Sequence, residues 1–127
     1  MKIEEHVDKC MRIERSATKF NQDADYEMFV EACMLAGTHL LNAALHGIGI
    51  TPDGSDLLHS DKPNLDVAVP TEIAEMMRKL KQIEDLRSGY LRGKASWQPA
   101  HGDLCACNME SLHASAQRLL TKDEVKT

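Results

Sequence analysis

Apolar side chains recur every three or four positions in four segments of this chain, a spacing that places them on one face of an α-helix. The segments cover residues 2–20, 24–45, 71–90 and about 103–120. No stretch shows the period of two that is typical of a half-buried β-strand. The pattern therefore predicts an all-α protein, an antiparallel up-and-down four-helix bundle. The charged tail, residues 121–127, is expected to fray.

The segments between the helices contain the residues that begin or end a helix. Residues 50–70 hold turn residues and prolines, which favour an irregular loop, with an extra short helix at 55–59 as the alternative. Residues 93–102 are expected to form a second loop. The residues suited to helix N-termini are Asp23 or Asp25 for the second helix, Pro70 in the first turn of the third, and Asp103 for the fourth.

Length and charge restrict the class of protein. Single domains commonly have roughly 100–150 residues, so residues 1–127 are predicted to form one domain. The 15 basic and 20 acidic side chains give a net charge of −5, which argues against general DNA binding. No apolar run approaches the roughly 20 residues of a membrane span, and the first residues lack a signal peptide's apolar stretch. We therefore expect a cytoplasmic protein that does not enter a membrane.

One basic residue lies on an apolar helix face. In the third segment that face includes Ile73, Met76, Leu80 and Ile83, and four residues further on it reaches Arg87. One interpretation is that the stem of this arginine packs on the helix while its guanidinium reaches water or a carboxylate. The other is that the guanidinium binds a phosphate or carboxylate group of a ligand.

The second segment is apolar on one face and half-apolar on the other. The second face carries Met28, Leu35, His39, Asn42 and His46. A helix of this kind is often enclosed by other helices or lies at a dimer interface, and we expect a homodimer. The two histidines, seven residues apart, then either bind a ligand across the dimer axis or border the interface.

The cysteines and histidines do not form a convincing metal motif. Cys10, Cys33, Cys105 and Cys107 fall within helical patterns, so we expect reduced thiols and no disulfides. On one helix Cys105 and Cys107 would point about 200° apart and could not bind the same ion. The sequence therefore predicts no metal and no cofactor, and the weak candidates for metal ligands are His101, Cys105 and His113.

Several short strings occur in a recognisable order. They are residues 21–26 (NQDADY), 38–49 (THLLNAALHGIG), 70–73 (PTEI) and 84–90 (EDLRSGY), followed by a helix that begins at Asp103. Over residues 5–120 this order resembles the HEPN domain superfamily, in particular its short stand-alone bundles. The resemblance implies a helical bundle that dimerises through the faces carrying its polar motif, and a ribonuclease activity or a nucleotidyltransferase partner in many members.

The chain departs from the family at the catalytic motif. Active members have an arginine followed four to six residues later by a histidine; Arg87 matches the arginine, but positions 91–93 are Leu91, Arg92 and Gly93. RNA cleavage needs a group that titrates near neutral pH, which histidine supplies and arginine does not. Tyr90 donates a hydrogen bond but is a poor base at this pH. The sequence thus favours a protein that is not an enzyme.

The leading hypothesis is a HEPN-like binding module that takes a nucleotide, an RNA or a protein partner in a dimer-facing groove around Arg87. Its candidate ligand-binding residues are Arg87, Tyr90, Arg92, His39 and His46. The alternatives are a metal-independent ribonuclease of a toxin–antitoxin system and a structural subunit that partners a nucleotidyltransferase. If the chain is catalytic, the candidates are Arg87, Tyr90 and His46.

Overall fold

Four α-helices form a bundle in the computed structural model, which describes residues 1–58 and 68–126. They are α1 (Ile3–Ala17), α2 (Tyr26–Gly47), α3 (Thr71–Arg87) and α4 (Pro99–Lys126), and a short π-helical segment, Ser88–Arg92, continues α3. No strand occurs in these described ranges. The predicted all-α bundle is confirmed. Helix α2 contacts each of the other three helices, and α3 also contacts α4.

The core lies around α2 because its side chains are apolar on nearly all sides. Gly37 permits a close helix approach: a Cβ added there would lie 2.8 Å from Cδ1 of Leu80 on α3 and 3.2 Å from Cδ1 of Leu112 on α4. The largest fully buried apolar side chains are Val30, Met34, Leu41 and Leu45 of α2, Ile73, Met76, Leu80 and Ile83 of α3, and Leu112 of α4. By length and composition α2 would also be able to cross a membrane, but 72% of its apolar window is buried within the bundle.

The third helix begins at Thr71, as predicted, whereas the start of α4 and the roles predicted for Asp25 and Pro70 differ from the structure. Helix α4 begins at Pro99, inside the expected loop, and Asp103 lies within the helix, where it accepts a hydrogen bond from Gln22. Proline fits a first helical position because its fixed φ suits the helix and it has no N–H to leave unpaired. Asp25 is at the N-cap position of α2, but its carboxylate accepts from the Asn21 backbone N at 2.7 Å instead. Pro70 precedes α3.

The alternative of a short helix at 55–59 is not observed in the part of the loop that the structure describes. Residues 55–58 are not helical, and His59 lies outside the described residues. Leu57 exchanges two hydrogen bonds with the side chain of Asn42, both at 2.8 Å, so its backbone groups are paired without a helical turn. The sequence predicts that the charged tail, residues 121–127, frays. In the structure the backbone of α4 instead stays helical through Lys126, the last described residue.

Candidate functional site

Arg87 lies at the end of α3 between two carboxylates. Its Nε donates to Oε2 of Glu31 on α2 at 2.6 Å, and its Nη1 is 3.2 Å from Oε2 of Glu84. Only 11% of the Arg87 side chain and 2% of the Glu84 side chain are exposed. The hydrogen bond to Glu31 raises the pKa of Arg87 above its ordinary value. The guanidinium therefore ties α2 to α3, as the first interpretation of this residue expects.

The residues expected beside Arg87 have other partners. Arg92 is largely exposed and its Nη2 is 4.0 Å from Oε1 of Glu84. The Tyr90 hydroxyl is 2.6 Å from Nδ1 of His101 and accepts a hydrogen bond from the Gln98 backbone. The ring of Tyr90 packs edge-on against Trp97, with 4.9 Å between their centres. Tyr90 thus belongs to an aromatic cluster that holds the start of α4.

The two predicted histidines of α2 are joined by a third that sequence reasoning missed, His6 of α1. Nδ1 of His6 is 2.9 Å from Nδ1 of His39, and its ring centre is 5.2 Å from that of His46. On the other side of each ring, Nε2 of His6 and Nε2 of His46 lie 2.9 and 2.7 Å from the same oxygen, Oδ1 of Asp56. We call His6, His46 and Asp56 the His–Asp cluster.

Burial differs between the members of the His–Asp cluster. The side chains of His6 and His46 are 2% and 0% exposed, whereas that of Asp56 is 26% exposed. Burial is the main cause that lowers the pKa of His6. For Asp56, partial burial opposes ionisation, but the hydrogen bonds from His6 and His46 outweigh it and lower its pKa. At neutral pH the cluster therefore combines an ionised carboxylate with a neutral His6 ring.

Further polar groups hold the His–Asp cluster in position. Nδ1 of His46 is 2.8 Å from the hydroxyl and 3.1 Å from the carbonyl oxygen of Thr51. The backbone nitrogen of Met1 lies 3.1 Å from Oδ2 of Asp56. Asn42, one turn before His46, binds the backbone of Leu57, the residue next to Asp56. The arrangement presents two imidazole nitrogens and a carboxylate oxygen to one point, a set able to share protons or to bind a metal ion.

The weak metal candidates from the sequence are not brought together. His101 contacts Tyr90, Cys105 interacts with Cys33, and Nε2 of His113 lies 2.7 and 2.9 Å from the carboxylate oxygens of Glu14. The Glu14 carboxylate also accepts from the Cys10 thiol at 3.2 Å. Cys10, Glu14 and His113 form a second cluster, but His113 and Glu14 are 42% and 36% exposed. All four cysteines are free, as expected.

An apolar groove of about 500 Å³ runs between α1 and α2 on the outer face of the bundle. Its lining includes Met28, Leu35 and His39, three of the residues predicted for a dimer-facing surface. The Met28 side chain is 54% exposed. Glu31, the partner of Arg87, also lines the groove, so the groove borders the ion pairs of Arg87. His46 is fully buried and belongs to the His–Asp cluster, not to this surface.

Two residues of the site were missed for different reasons. His6 had a signal, because it follows Ile3 by three residues and precedes Cys10 by four, the spacing of the apolar face of α1. Asp56 had none: it lies in an irregular segment, and only the fold brings it to the histidines. A residue in an irregular segment belongs to no periodic pattern, so its position cannot be predicted from sequence spacing.

Fold and site together define an all-α bundle with a buried histidine–aspartate cluster at one end of its central helix and an apolar groove along its outer face. Comparisons of the chain with protein-family models, with curated proteins and with solved structures find no match. The resemblance to the HEPN superfamily therefore stays a prediction from the short strings and the helix order.

Proposed function

We propose that the chain is a non-catalytic helical binding module that works as a homodimer, with the α1–α2 groove as the interface. The observation that carries this proposal is the exposed apolar lining of the groove. Met28 is 54% exposed on a helix that is otherwise the most buried of the bundle, and Leu35 and Phe20 are partly exposed beside it. An exposed methionine with partly exposed apolar neighbours along one groove favours a protein-binding face.

The charges of the groove support a second copy of the chain as its occupant. The groove carries both signs, with Lys9 and Arg12 on the α1 side and Glu31 on the α2 side. Within one chain Arg12 contacts Asp8 and Glu31 contacts Arg87. A two-fold interface brings the same surface together from both subunits, so a patch with both signs is able to complement itself. On α1 the lining extends from Lys9 to Ser16, a length of about 10 Å at the rise of an α-helix, and Phe20 continues it beyond the end of the helix.

The contacts of Arg87 disfavour a nucleotide or an RNA as the ligand. An anion would have to displace Glu31 and Glu84 from the guanidinium and would leave the buried Glu84 without its nearest cation. The ribonuclease alternative has no support from the contacts either, because Arg87, Tyr90 and His46 have separate sets of partners. The HEPN-like order of helices remains compatible with a dimer of this kind.

A matched pair of methionine variants tests the interface. Met11 of α1 is as exposed as Met28, at 55%, but does not line the groove. We expect the wild type and Met11→Asp to be dimers in sedimentation velocity and light scattering, and Met28→Asp to be a monomer. A charge buried at a contact without a partner is costly, so the change in dimer Kd is expected to exceed about tenfold.

Three outcomes would contradict the proposal: a monomeric wild type, two equally dimeric variants, or a dimer lost equally in both. A single-stranded RNA mixture supplies the competing test. If the wild type binds RNA and Arg92→Ala abolishes that binding while Met28→Asp does not, then the ligand is a nucleic acid and the groove is not the functional surface.

A further inference from the structure

We propose that the His–Asp cluster is a binding site for one divalent first-row transition-metal ion, ligated by Nε2 of His6, Nε2 of His46 and the Asp56 carboxylate. This inference is independent of the dimer groove, which contains none of these three side chains. Two imidazoles and a carboxylate are a ligand set that proteins use for zinc and for iron(II).

The positions of the three ligand atoms carry the proposal. All three lie within 4.8 Å of one another, and the oxygen of Asp56 is 2.9 Å from one ring nitrogen and 2.7 Å from the other. Ligands that share an ion at about 2.0–2.2 Å are themselves about 3 Å apart. The three side chains are therefore already close to the separation that ligands of one ion have. They come from α1, α2 and the segment after α2, so the fold itself assembles the set.

The outer nitrogens of both rings have the partners that a metal-bound histidine needs. A ligating imidazole is usually fixed by a hydrogen bond from its other ring nitrogen to a carbonyl, a carboxylate or another acceptor. Nδ1 of His46 faces the carbonyl oxygen of Thr51 at 3.1 Å, and Nδ1 of His6 faces Nδ1 of His39 at 2.9 Å. Each ring thus presents Nε2 inward and has an acceptor behind it.

The protons balance without a co-reactant. In the metal-free network the two Nε2–H groups donate to Asp56, and their Nδ1 atoms accept from Thr51 and His39. When the ion binds, the Nε2 proton of His46 moves to its Nδ1, which then donates to the Thr51 carbonyl. The Nε2 proton of His6 likewise moves to its Nδ1 and is donated to Nδ1 of His39, whose own proton moves to its Nε2. Each ring exchanges one N–H position for the other, and no net proton is released from them. Ionised Asp56 supplies one negative charge to the ion.

Three protein ligands leave part of the coordination sphere to water or to an added ligand. The buried rings of His6 and His46 close the inner side, while Asp56 is 26% exposed and marks the side that solvent reaches. Structural zinc sites usually have four protein ligands, whereas sites with three retain an exchangeable position. The His–Asp cluster thus belongs to the second type.

The Cys10–Glu14–His113 cluster is the weaker candidate for a metal ion. Two of its three side chains are more than one-third exposed, and both oxygens of Glu14 already face His113. Burial is the main cause that raises the pKa of Cys10, which keeps its thiol protonated when a metal would need the thiolate. It nevertheless provides the matched control, because it offers another histidine–carboxylate contact on the same chain.

The experiment uses full-length, tag-free protein, because a polyhistidine tag would bind the metal itself. The protein is stripped with a chelator and titrated with Zn²⁺ against a chromophoric competitor, and Co²⁺ is used to report the coordination sphere by its visible spectrum. The variants are Asp56→Asn and His46→Gln as ligand changes, His39→Gln behind His6, and His113→Gln as the control. Circular dichroism and thermal unfolding verify that each variant folds.

We expect the wild type and His113→Gln to bind one Zn²⁺ with equal affinity and to gain thermal stability from it. Loss of a ligand in Asp56→Asn is expected to weaken binding by more than about 100-fold, and His39→Gln by about tenfold, the range for a group behind a ligand. A wild type that binds no Zn²⁺ or Co²⁺ would overturn the proposal, as would unchanged binding by folded Asp56→Asn. If only His113→Gln failed to bind Zn²⁺, the metal site would be the Cys10–Glu14–His113 cluster and not the His–Asp cluster.

Discussion

Two polar clusters brace α2 near its opposite ends, and they are built in opposite ways. Near its start, Glu31 takes part in a cluster with a cation at the centre, Arg87, between two carboxylates. In its last turn, His46 takes part in a cluster with a carboxylate at the centre, Asp56, between two imidazoles. Both clusters join different parts of the fold, yet they differ in whether their side chains are able to change protonation state or bind a metal ion.

This difference between the two clusters follows from the residue types at their centres. An arginine keeps its charge at any physiological pH, so the Arg87 cluster is a fixed brace. An imidazole changes its tautomer, takes up a proton or binds a metal, so the His–Asp cluster is able to change its state while its shape is kept. The residue that is most conspicuous in the sequence therefore holds the fold, and the residues with adaptable chemistry lie at the other end of α2.

The largest expected effect is that of Arg87→Ala. This change leaves the Glu84 carboxylate, 2% exposed, without its main cation and also releases Glu31. Removing one partner of a buried ion pair costs about 3–5 kcal/mol, and we expect a loss of free energy of unfolding near the lower end, since Arg92 lies 4.0 Å from Glu84. Urea unfolding measures it.

Two companion variants separate this cost from a simple loss of surface charge. Lys81→Ala removes a cation from the same helix, but Lys81 and its partner Asp85 are both 55% exposed, so the change should stay within about 0.5 kcal/mol. Adding Glu84→Gln to Arg87→Ala should recover part of the lost stability. If Arg87→Ala lowers the free energy of unfolding as little as Lys81→Ala does, the guanidinium does not stabilise the fold. The interpretation of Arg87 as a ligand-binding residue would then be favoured.

Next in size is Asp56→Ala, measured with a chelator present so that no metal contributes. The rings of His6 and His46 are buried and lose their shared acceptor, and each unpaired buried donor costs about 1–3 kcal/mol. We expect a loss of about 2 kcal/mol, because the exposed side of Asp56 lets water replace part of the interaction. Asp56→Asn should cost less, since its amide oxygen still accepts. Equal and negligible effects would show that the metal-free rings are not held by this residue.

A smaller effect is expected from Asn42→Ala, which removes the link between α2 and the segment that carries Asp56. The free energy of unfolding should fall by about 1–2 kcal/mol, and the Leu57 amide should exchange its hydrogen faster, because the Asn42 oxygen accepts from it. Asn108→Ala is the matched control: this asparagine is also buried and links α4 to α3. It should lower stability without raising exchange at Leu57.

The sequence was sufficient for the architecture because helical periodicity depends on local spacing alone. It also placed Asn42 and His46 on one face of α2, where both act on the segment after the helix. It was not sufficient for Asp56, whose position depends on how that segment folds back. It was also not sufficient for Arg87, because the spacing placed it on an apolar face but did not indicate that Glu31 and Glu84 would meet it there.

The smallest expected effect tests what a histidine–carboxylate contact contributes when it is not buried. The hydrogen bond between His113 and Glu14 raises the pKa of His113 and lowers that of Glu14. Stability from His113 is therefore fully present below the unfolded pKa of 6.5 and is lost as pH rises through the higher folded value. Stability from Glu14 is present above pH 4.5, its unfolded pKa, and is lost as pH falls through the lower folded value.

The difference in free energy of unfolding between the wild type and His113→Gln should hence be largest between pH 4.5 and 6.5. With both side chains more than one-third exposed, solvent screening limits it to about 0.5 kcal/mol, and added salt should reduce it further. A difference that grows towards pH 8 would mean that His113 is not charged in this contact, and the contrast between the exposed pair and the buried His–Asp cluster would disappear.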